Sequence, residues 1–265
     1  TAPIVRRIVM MTSAALFAAI AVVRHPQAVL RPGSTSTSLA LSAASPTASA
    51  VALKSELLAA IDSHQPQETV KQLTVQLSET QAIEDVDVPR LLLGDWRTLF
   101  STLKMGNAKS VPLKMLSFGV MPSRPVFVGD WYNRVSEQQY TLMPQVRSSE
   151  QGVSAGLALT GWCGFDAAPG RCSVQFESVG LVPAIEGGTT DQNSEAVVRE
   201  LLEGSKLEES GPQRPASIFR WLNAHKTFID ITYIDDDIRI HTGKSGEVYV
   251  LERLPASDGI PFMLP

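Results

Sequence analysis

The sequence predicts a mainly β protein: a closed antiparallel barrel with two helices before it and short helices at its flanks. Three observations carry that reading. From Leu92 to Arg253 the chain falls into about nine or ten short runs with apolar residues at every second position, the period of half-buried strands. Clear helical spacing of apolar residues lies mostly ahead of that region. The last runs form a meander. Ile229, Ile231 and Tyr233 alternate with Asp230 and Thr232, Asp235-Asp-Asp237 supply a turn, and Ile238 and Ile240 resume the alternation. Lys244-Ser-Gly246 turns the chain again before Val248, Val250 and Leu251. Many short antiparallel strands with few helices suit a barrel that closes on itself.

A chain of 265 residues holds one domain of about 200 residues plus an extension. The extension is the leader. No Asp or Glu precedes Glu56, whereas Arg6, Arg7, Arg24, Arg31 and Lys54 do. Residues 8–23 are apolar apart from Thr12 and Ser13, short for a membrane span and suited to the core of a signal peptide. A retained single-pass anchor is the alternative. Residues 31–50 are rich in Ser, Thr and Ala, the composition of a plastid transit peptide. In tandem the two segments predict import into a secondary plastid, bounded by extra membranes, with residues 1–50 removed.

Residues 51–89 are read as a two-helix segment. Leu53, Leu57 and Ile61 share one face of a helix over 51–63, widened by Leu58; Val70, Leu73 and Leu77 do so over 67–79. An acidic linker, 82–89, ends where Pro89 blocks further helix. The barrel is assigned to 90–255, with strands at 95–103, 114–120, 125–129, 131–136, 139–146, 154–162 and 172–181. A polar insertion follows at 186–213, holding a helix at 194–202. Another short helix is placed at 216–224, then the meander, then a tail at 256–265.

The wording of the meander, Thr232-Tyr-x-Asp-x-Asp-x-Arg-Ile240 followed by Gly243-x-x-Gly-x-x-Tyr-Val-Leu251, resembles the end of the plastid lipid-associated protein (fibrillin) domain. Leu92-Leu-Gly-Asp-Trp-Arg-Thr-Leu-Phe-Ser-Thr102 resembles that family's opening strand. Leu53-Lys-Ser-Glu-Leu-Leu-Ala-Ala-Ile61 resembles the helix before its barrel. Val174-Gln-Phe-Glu177 and Leu181-Val-Pro183 match a looser strand pattern. These anchors keep the family's order over 53–253. The resemblance implies a lipocalin-like barrel and a non-enzymatic role at thylakoids or plastoglobules, binding or shielding carotenoids, prenylquinones or lipids. Apolar small molecules, membrane lipids and a thylakoid or plastoglobule surface are then the expected partners. Two rivals stand beside that role. One is a filled barrel scaffolding a photosynthetic membrane complex through 186–213; the other is an enzyme or accessory factor of prenylquinone synthesis.

Gly94-Asp-Trp96 also resembles the lipocalin Gly-x-Trp signature, which makes Trp96 a plug at the barrel's closed end and Arg239 its cation–π partner. Trp96, Phe100, Tyr132, Phe176, Tyr233 and Arg239 are the candidates for lining a cavity. Gly94, Trp96, Asp235, Asp237, Arg239, Gly243 and Gly246 carry the family motif and are read as structural. The sequence leaves open whether such a cavity is empty or filled by its own side chains. It also leaves open whether the apolar stretches 111–120 and 259–265 dock on lipid or pack back on the barrel.

Other chemistry finds little support. Three adjacent carboxylates in a tight turn do not converge on one cation, so Asp235 and Asp237 are read as turn formers rather than metal ligands. His25, His64, His225 and His241 are scattered without partners at ligand spacing. Gly243-Lys-Ser245 ends like a phosphate loop, but Ile238 stands where that motif needs Gly. No nucleophile elbow or dinucleotide turn occurs, so no catalytic residue, metal or cofactor is expected. Cys163 and Cys172 flank a hairpin loop and stand either as free thiols or as a disulfide. From Glu56 onward the chain carries all 27 acidic residues and all but five of its 23 Lys and Arg. That acidic body disfavours nucleic acid.

Overall fold

The apolar stripes at the start of the domain fold as two helices, α1 (Ala48–Asp62) and α2 (Gln67–Ser78). The structure, a computed structural model, describes residues 48–103, 110–186, 189–203, 225–255 and 259–262. The leader through residue 47, residues 204–213 of the insertion and the helix expected at 216–224 lie outside those residues. Pro89, expected to stop a helix, opens one. In α3 (Val88–Leu92) it sits in the first turn, where a missing N–H loses no hydrogen bond, and Asp87 caps the turn by accepting from the Arg90 amide.

The strands are β1 (Gly94–Ser101), β2 (Val111–Pro112), β3 (Pro125–Val135), β4 (Gln139–Arg147), β5 (Ser154–Phe165) and β6 (Arg171–Pro183). After them come β7 (Ile185–Glu186), β8 (Thr189–Thr190), β9 (His225–Ile234), β10 (Ile238–Gly243) and β11 (Val248–Arg253). Nine of these form one antiparallel sheet in the order β1-β11-β10-β9-β6-β5-β4-β3-β2, and β1 also pairs β3, which closes the first eight into a barrel. Two expectations change. The strand placed at 114–120 is a short helix, α4 (Leu113–Leu116), followed by a turn in which Phe118 and Gly119 both take positive φ and break any extended run. The strands placed at 125–129 and 131–136 are one strand, β3, carrying a bulge between Val128 and Trp131.

Three apolar clusters account for the packing. The first lies on the barrel's inner face, from Trp96 and Leu251 near one end to Leu157, Val179 and Leu181 further along. The helix of the supposed polar insertion, α5 (Gln192–Leu202), belongs to this cluster: it buries Val197, Val198, Leu201 and Leu202 there. Its Ser194 hydroxyl donates to the Ser154 carbonyl at 2.5 Å and accepts from the Ala184 amide at 2.7 Å. These bonds hold α5 where β5 begins and β6 ends. The stretch 111–120 packs back as well, with Val111 and Leu113 buried.

The other clusters lie on the barrel's outer faces. Leu57, Leu73 and Leu77 of the α1–α2 pair cover Tyr233, Ile240 and Val250. Ile260 and Phe262 of the C-terminal segment cover Tyr132, Met143, Ala158 and Val182. Gly156 permits this second contact, because a Cβ there would come within 2.9 Å of the Phe262 ring.

Polar contacts fix where the helices sit. The Gln81 side chain donates to the Ile234 carbonyl at 3.0 Å and accepts from its amide at 2.9 Å, acting as a surrogate for a neighbouring strand. The Lys54 ammonium donates to Asp235 at 2.8 Å and Asp237 at 2.7 Å, pinning α1 to the β9–β10 turn. Burial alone would raise the pKa of Asp235, but Lys54, the Ile238 and Asp237 amides and the Tyr233 hydroxyl outweigh it and hold it below the ordinary value. Burial likewise opposes the Lys54 charge, and the two carboxylates overcome it and raise its pKa.

The signs follow from linkage. The Asp235 contribution is complete above the ordinary 3.8 and is lost as pH falls through its lower folded value. That of Lys54 is complete below the ordinary 10.5 and is lost as pH rises through its higher folded value. Lys54→Met is therefore expected to cost about 1 kcal/mol at neutral pH and to flatten the loss of stability above pH 10.5. Urea melts of both proteins across pH check this; coincident curves at all pH values would show that Lys54 contributes nothing.

Candidate functional site

The inner face of the barrel is the natural candidate site, and its chemistry gathers at the end where α3 enters β1. Trp96 is fully buried there and donates from Nε1 to the Leu92 carbonyl at 2.9 Å. Two guanidiniums stand over its ring, Arg253 at 4.2 Å and Arg239 at 4.9 Å from the centroid. Arg253 also reaches the α3 end. It donates to the Leu93 carbonyl at 2.5 Å, to the Leu91 carbonyl, and to the Asp236 carbonyl at 2.7 Å. It thereby satisfies backbone acceptors that a helix end leaves open. Gly94 makes the approach possible: its φ is +118°, and a Cβ would lie 3.0 Å from Arg253 Nη1.

Ion pairs hold the seam on either side of β1. Arg134 of β3 bonds Asp95 through two nitrogens, at 2.8 and 2.9 Å, and Arg97 pairs with Glu252 of β11. Both pairs follow directly from register, which sets Asp95 opposite Arg134 and Arg97 opposite Glu252.

Arg239 is wholly buried. Its Nη2 donates to Asn133 Oδ1 at 2.9 Å, and the same oxygen accepts from the Tyr140 hydroxyl. Burial pulls the Arg239 pKa down, with Tyr140 opposing, and it pushes the Tyr140 phenol up. Two residues along β10, His241 is buried and stacks on Tyr249 with centroids 4.9 Å apart. Burial, and then Arg239, drives its pKa well below 6.5, so the ring is neutral. Burial and Glu247 push the Tyr249 phenol up to about 12.

Of the cavity candidates, Trp96, Phe176 and Arg239 face the interior, whereas Phe100, Tyr132 and Tyr233 do not. Phe100 and Tyr233 lie beneath the α1–α2 pair, and Tyr132 meets Phe262 edge to face at 5.9 Å. All three corrections share one cause. Strict alternation from Trp96, Ile231 and Val126 would turn each inward, but a bulge intervenes each time. Leu99 is the extra residue in β1, Thr232 in β9, and one residue between Val128 and Trp131 in β3. An extra residue reverses every side chain beyond it.

The motif residues take structural places. Asp235 accepts from the Asp237 and Ile238 amides, both at 2.8 Å, as a turn former does. Gly246 turns with φ +87°, and the Gly243 amide bonds the Glu247 carbonyl at 2.8 Å. Among the described residues, no three His, Cys, Asp or Glu side chains gather as a metal site. Cys163 and Cys172 are buried, free thiols inside the barrel. Register sets Cys163 opposite Val174 and Cys172 opposite Phe165, so the thiols meet on a diagonal rather than face to face. Contact with Cys163, then burial, holds the Cys172 thiol well above its ordinary range.

Asn133, Tyr140, His241, Arg253 and Lys54 were missed as contributors. Of the first four, Asn133 lies beyond the bulge of β3, where the phase is reversed; Tyr140, His241 and Arg253 lie on strands without an extra residue, and alternation from Arg239 and Leu251 would have placed His241 and Arg253 on the inner face. Outside the barrel, a half-open groove of about 340 Å³ lies between α3 and the strand ends, lined in part by Pro89, Leu93, Glu137 and Phe165. Trp162 and Phe165 of β5 are 49% and 41% exposed.

A family model described as PAP_fibrillin matches residues 53–252. No curated protein and no solved structure matches the chain.

Two substitutions test the interior. Asn133→Ala leaves the Tyr140 hydroxyl and Arg239 Nη2 without their acceptor, and a loss of about 1–3 kcal/mol per stranded group is expected in denaturant melts. His241 is neutral when folded and takes a proton when unfolded. Stability is therefore expected to fall with pH below about 6.5 by up to ~1.4 kcal/mol per unit. His241→Phe should flatten that slope, and an unchanged slope between pH 6.5 and 5 would show that another group is responsible.

Proposed function

Because the chain belongs to the PAP_fibrillin family of plastid lipid-associated proteins, we propose that it binds or shields apolar molecules without catalysing their conversion. Carotenoids, prenylquinones and membrane lipids are the ligand classes, and thylakoids or plastoglobules of a plastid, a secondary one on the leader's reading, are the sites of action. The supporting observation is a closed eight-stranded barrel with a largely apolar inner face in a chain of this family. One end is stoppered by Trp96, α3 and Arg253. The other is occupied by α4 and α5, which lie outside the strand ladder. Each methylene buried inside would contribute about 0.8 kcal/mol, so a long prenyl or acyl tail binds without a dedicated polar contact.

A second mode has its own observation. In the apolar stretch 111–120 Val111 and Leu113 are buried and Met115 is exposed, of 259–265 the described Ile260 and Phe262 are covered, and Trp162 and Phe165 are the exposed aromatics among the described residues. Both lie near the end of β5, three residues apart, and exposed aromatics suit adsorption to a lipid surface, where an indole sits at the polar boundary. No helix among the described residues is long and apolar enough to cross a membrane.

Native purification followed by lipid extraction and mass spectrometry tests the proposal. A stoichiometric carotenoid, quinone or lipid is the expected result. A clean extract with photosynthetic subunits co-purifying would replace it with a scaffolding role.

A further inference from the structure

The interior holds one charge that the protein does not balance. Arg239 is fully buried, yet it takes part in none of the ion pairs among the described residues. Nη2 has Asn133, whereas Nε and Nη1 have no hydrogen-bond partner. The other guanidinium at the closed end, Arg253, shares the Trp96 ring, but it carries the same sign and spends its donors on backbone carbonyls. Tyr140, which bonds Asn133, and the Cys172 thiol both lie within electrostatic reach of Arg239, but each has its pKa pushed up and stays neutral, so neither balances the charge. A buried cation with free N–H groups and no counter-ion is costly, and native interiors pair such groups or supply them with a ligand.

The surroundings narrow what that ligand is. His241 lies on the same inner face of β10, and its Nδ1 is also without a partner. Its ring is neutral, so the pair offers one net positive charge and one extra polar contact. That matches a monoanion. A neutral carbonyl would meet the hydrogen bonds and leave the charge unbalanced, and a doubly charged phosphate would exceed it. A guanidinium is a fitting partner for a carboxylate in particular. From His241 the polar strip continues to Tyr249, which is only partly buried; beyond Asn133, Tyr140 and the two thiols the inner wall is apolar, with Val174, Phe176 and Ile231 in it.

We infer that the closed end of the barrel is a head-group site for a single-chain monocarboxylate of the fatty-acid type, its carboxylate held by Arg239 with His241 beside it. The inference rests on the reading that the barrel takes apolar molecules, and it adds the ligand's charge and orientation: head at Trp96, tail toward α5.

The test compares palmitate, hexadecanol and methyl palmitate as ligands of the delipidated full chain, by calorimetric titration at pH 7.5. Palmitate is expected to bind at least about tenfold more tightly than the two neutral compounds. Arg239→Gln, with folding verified by its near-ultraviolet spectrum, should abolish that preference and leave hexadecanol binding unchanged. Equal affinity of the wild-type protein for acid and alcohol overturns the head-group site while interior carriage stands. A preference that survives Arg239→Gln overturns it too. Failure of all three compounds to bind overturns the head-group site together with the carrier reading. Should Arg239→Gln not fold, the wild-type comparison decides alone.

Discussion

Closure of the barrel depends on β1, the one strand whose partners on both sides are distant in sequence. Everything at the closed end converges on it. Trp96 lies opposite Asn133 on one side and Arg253 on the other, so the two pairings bring together the acceptor for Arg239 and the cation that caps α3. The indole then does two things at once: it fills the bottom of the barrel, and it gives both guanidiniums a polarisable surface in place of water. Each guanidinium would be hard to bury without it. The ion pairs Asp95–Arg134 and Arg97–Glu252 lie along the same seam and contribute register more than energy, since exposed pairs add little.

The outer faces show how a barrel of this kind avoids displaying apolar wall to solvent. Two segments from outside the sheet, one from each end of the domain, cover two different quadrants. Their anchoring differs in kind. The α1–α2 pair is tied by polar groups to the bulge and turn of β9, through Gln81, Ser78 and Lys54. The C-terminal segment is held by the shape of a glycine-floored pocket that receives Phe262, and by backbone bonding of Ile185 to Pro261. The first arrangement responds to pH at its extremes through its ion pairs.

Much of this was legible from the chain. Both N-terminal helices, most of the barrel strands, the Trp96–Arg239 contact and the role of Asp235 followed from spacing and motif wording. What was hidden has a physical pattern. Alternation tells which residues share a face only while pairing stays regular, and a single extra residue reverses the phase without leaving a mark in composition. Leu99 and Thr232 are ordinary strand residues, so Phe100 and Tyr233 were placed inside. The helix α5 was read as a polar insertion because its mean character is polar, although Val197, Val198, Leu201 and Leu202 repeat at the helical period. The strand expected at 114–120 failed for a third reason: Phe118 takes a left-handed conformation that a bulky residue rarely adopts.

The pairing of β1 with β11 also sets an order of events. Residues 94–101 and 248–253 are separated by most of the domain, and β1 meets β3 only across the chain between Ser101 and Pro125. Loop closure of that length precedes any return from the contacts it makes, which slows folding. During synthesis the first strand has no complete set of neighbours until the last one has emerged. The chain must keep an aromatic, edge-forming segment from pairing elsewhere for that whole interval, so the barrel is a structure that its last strand completes.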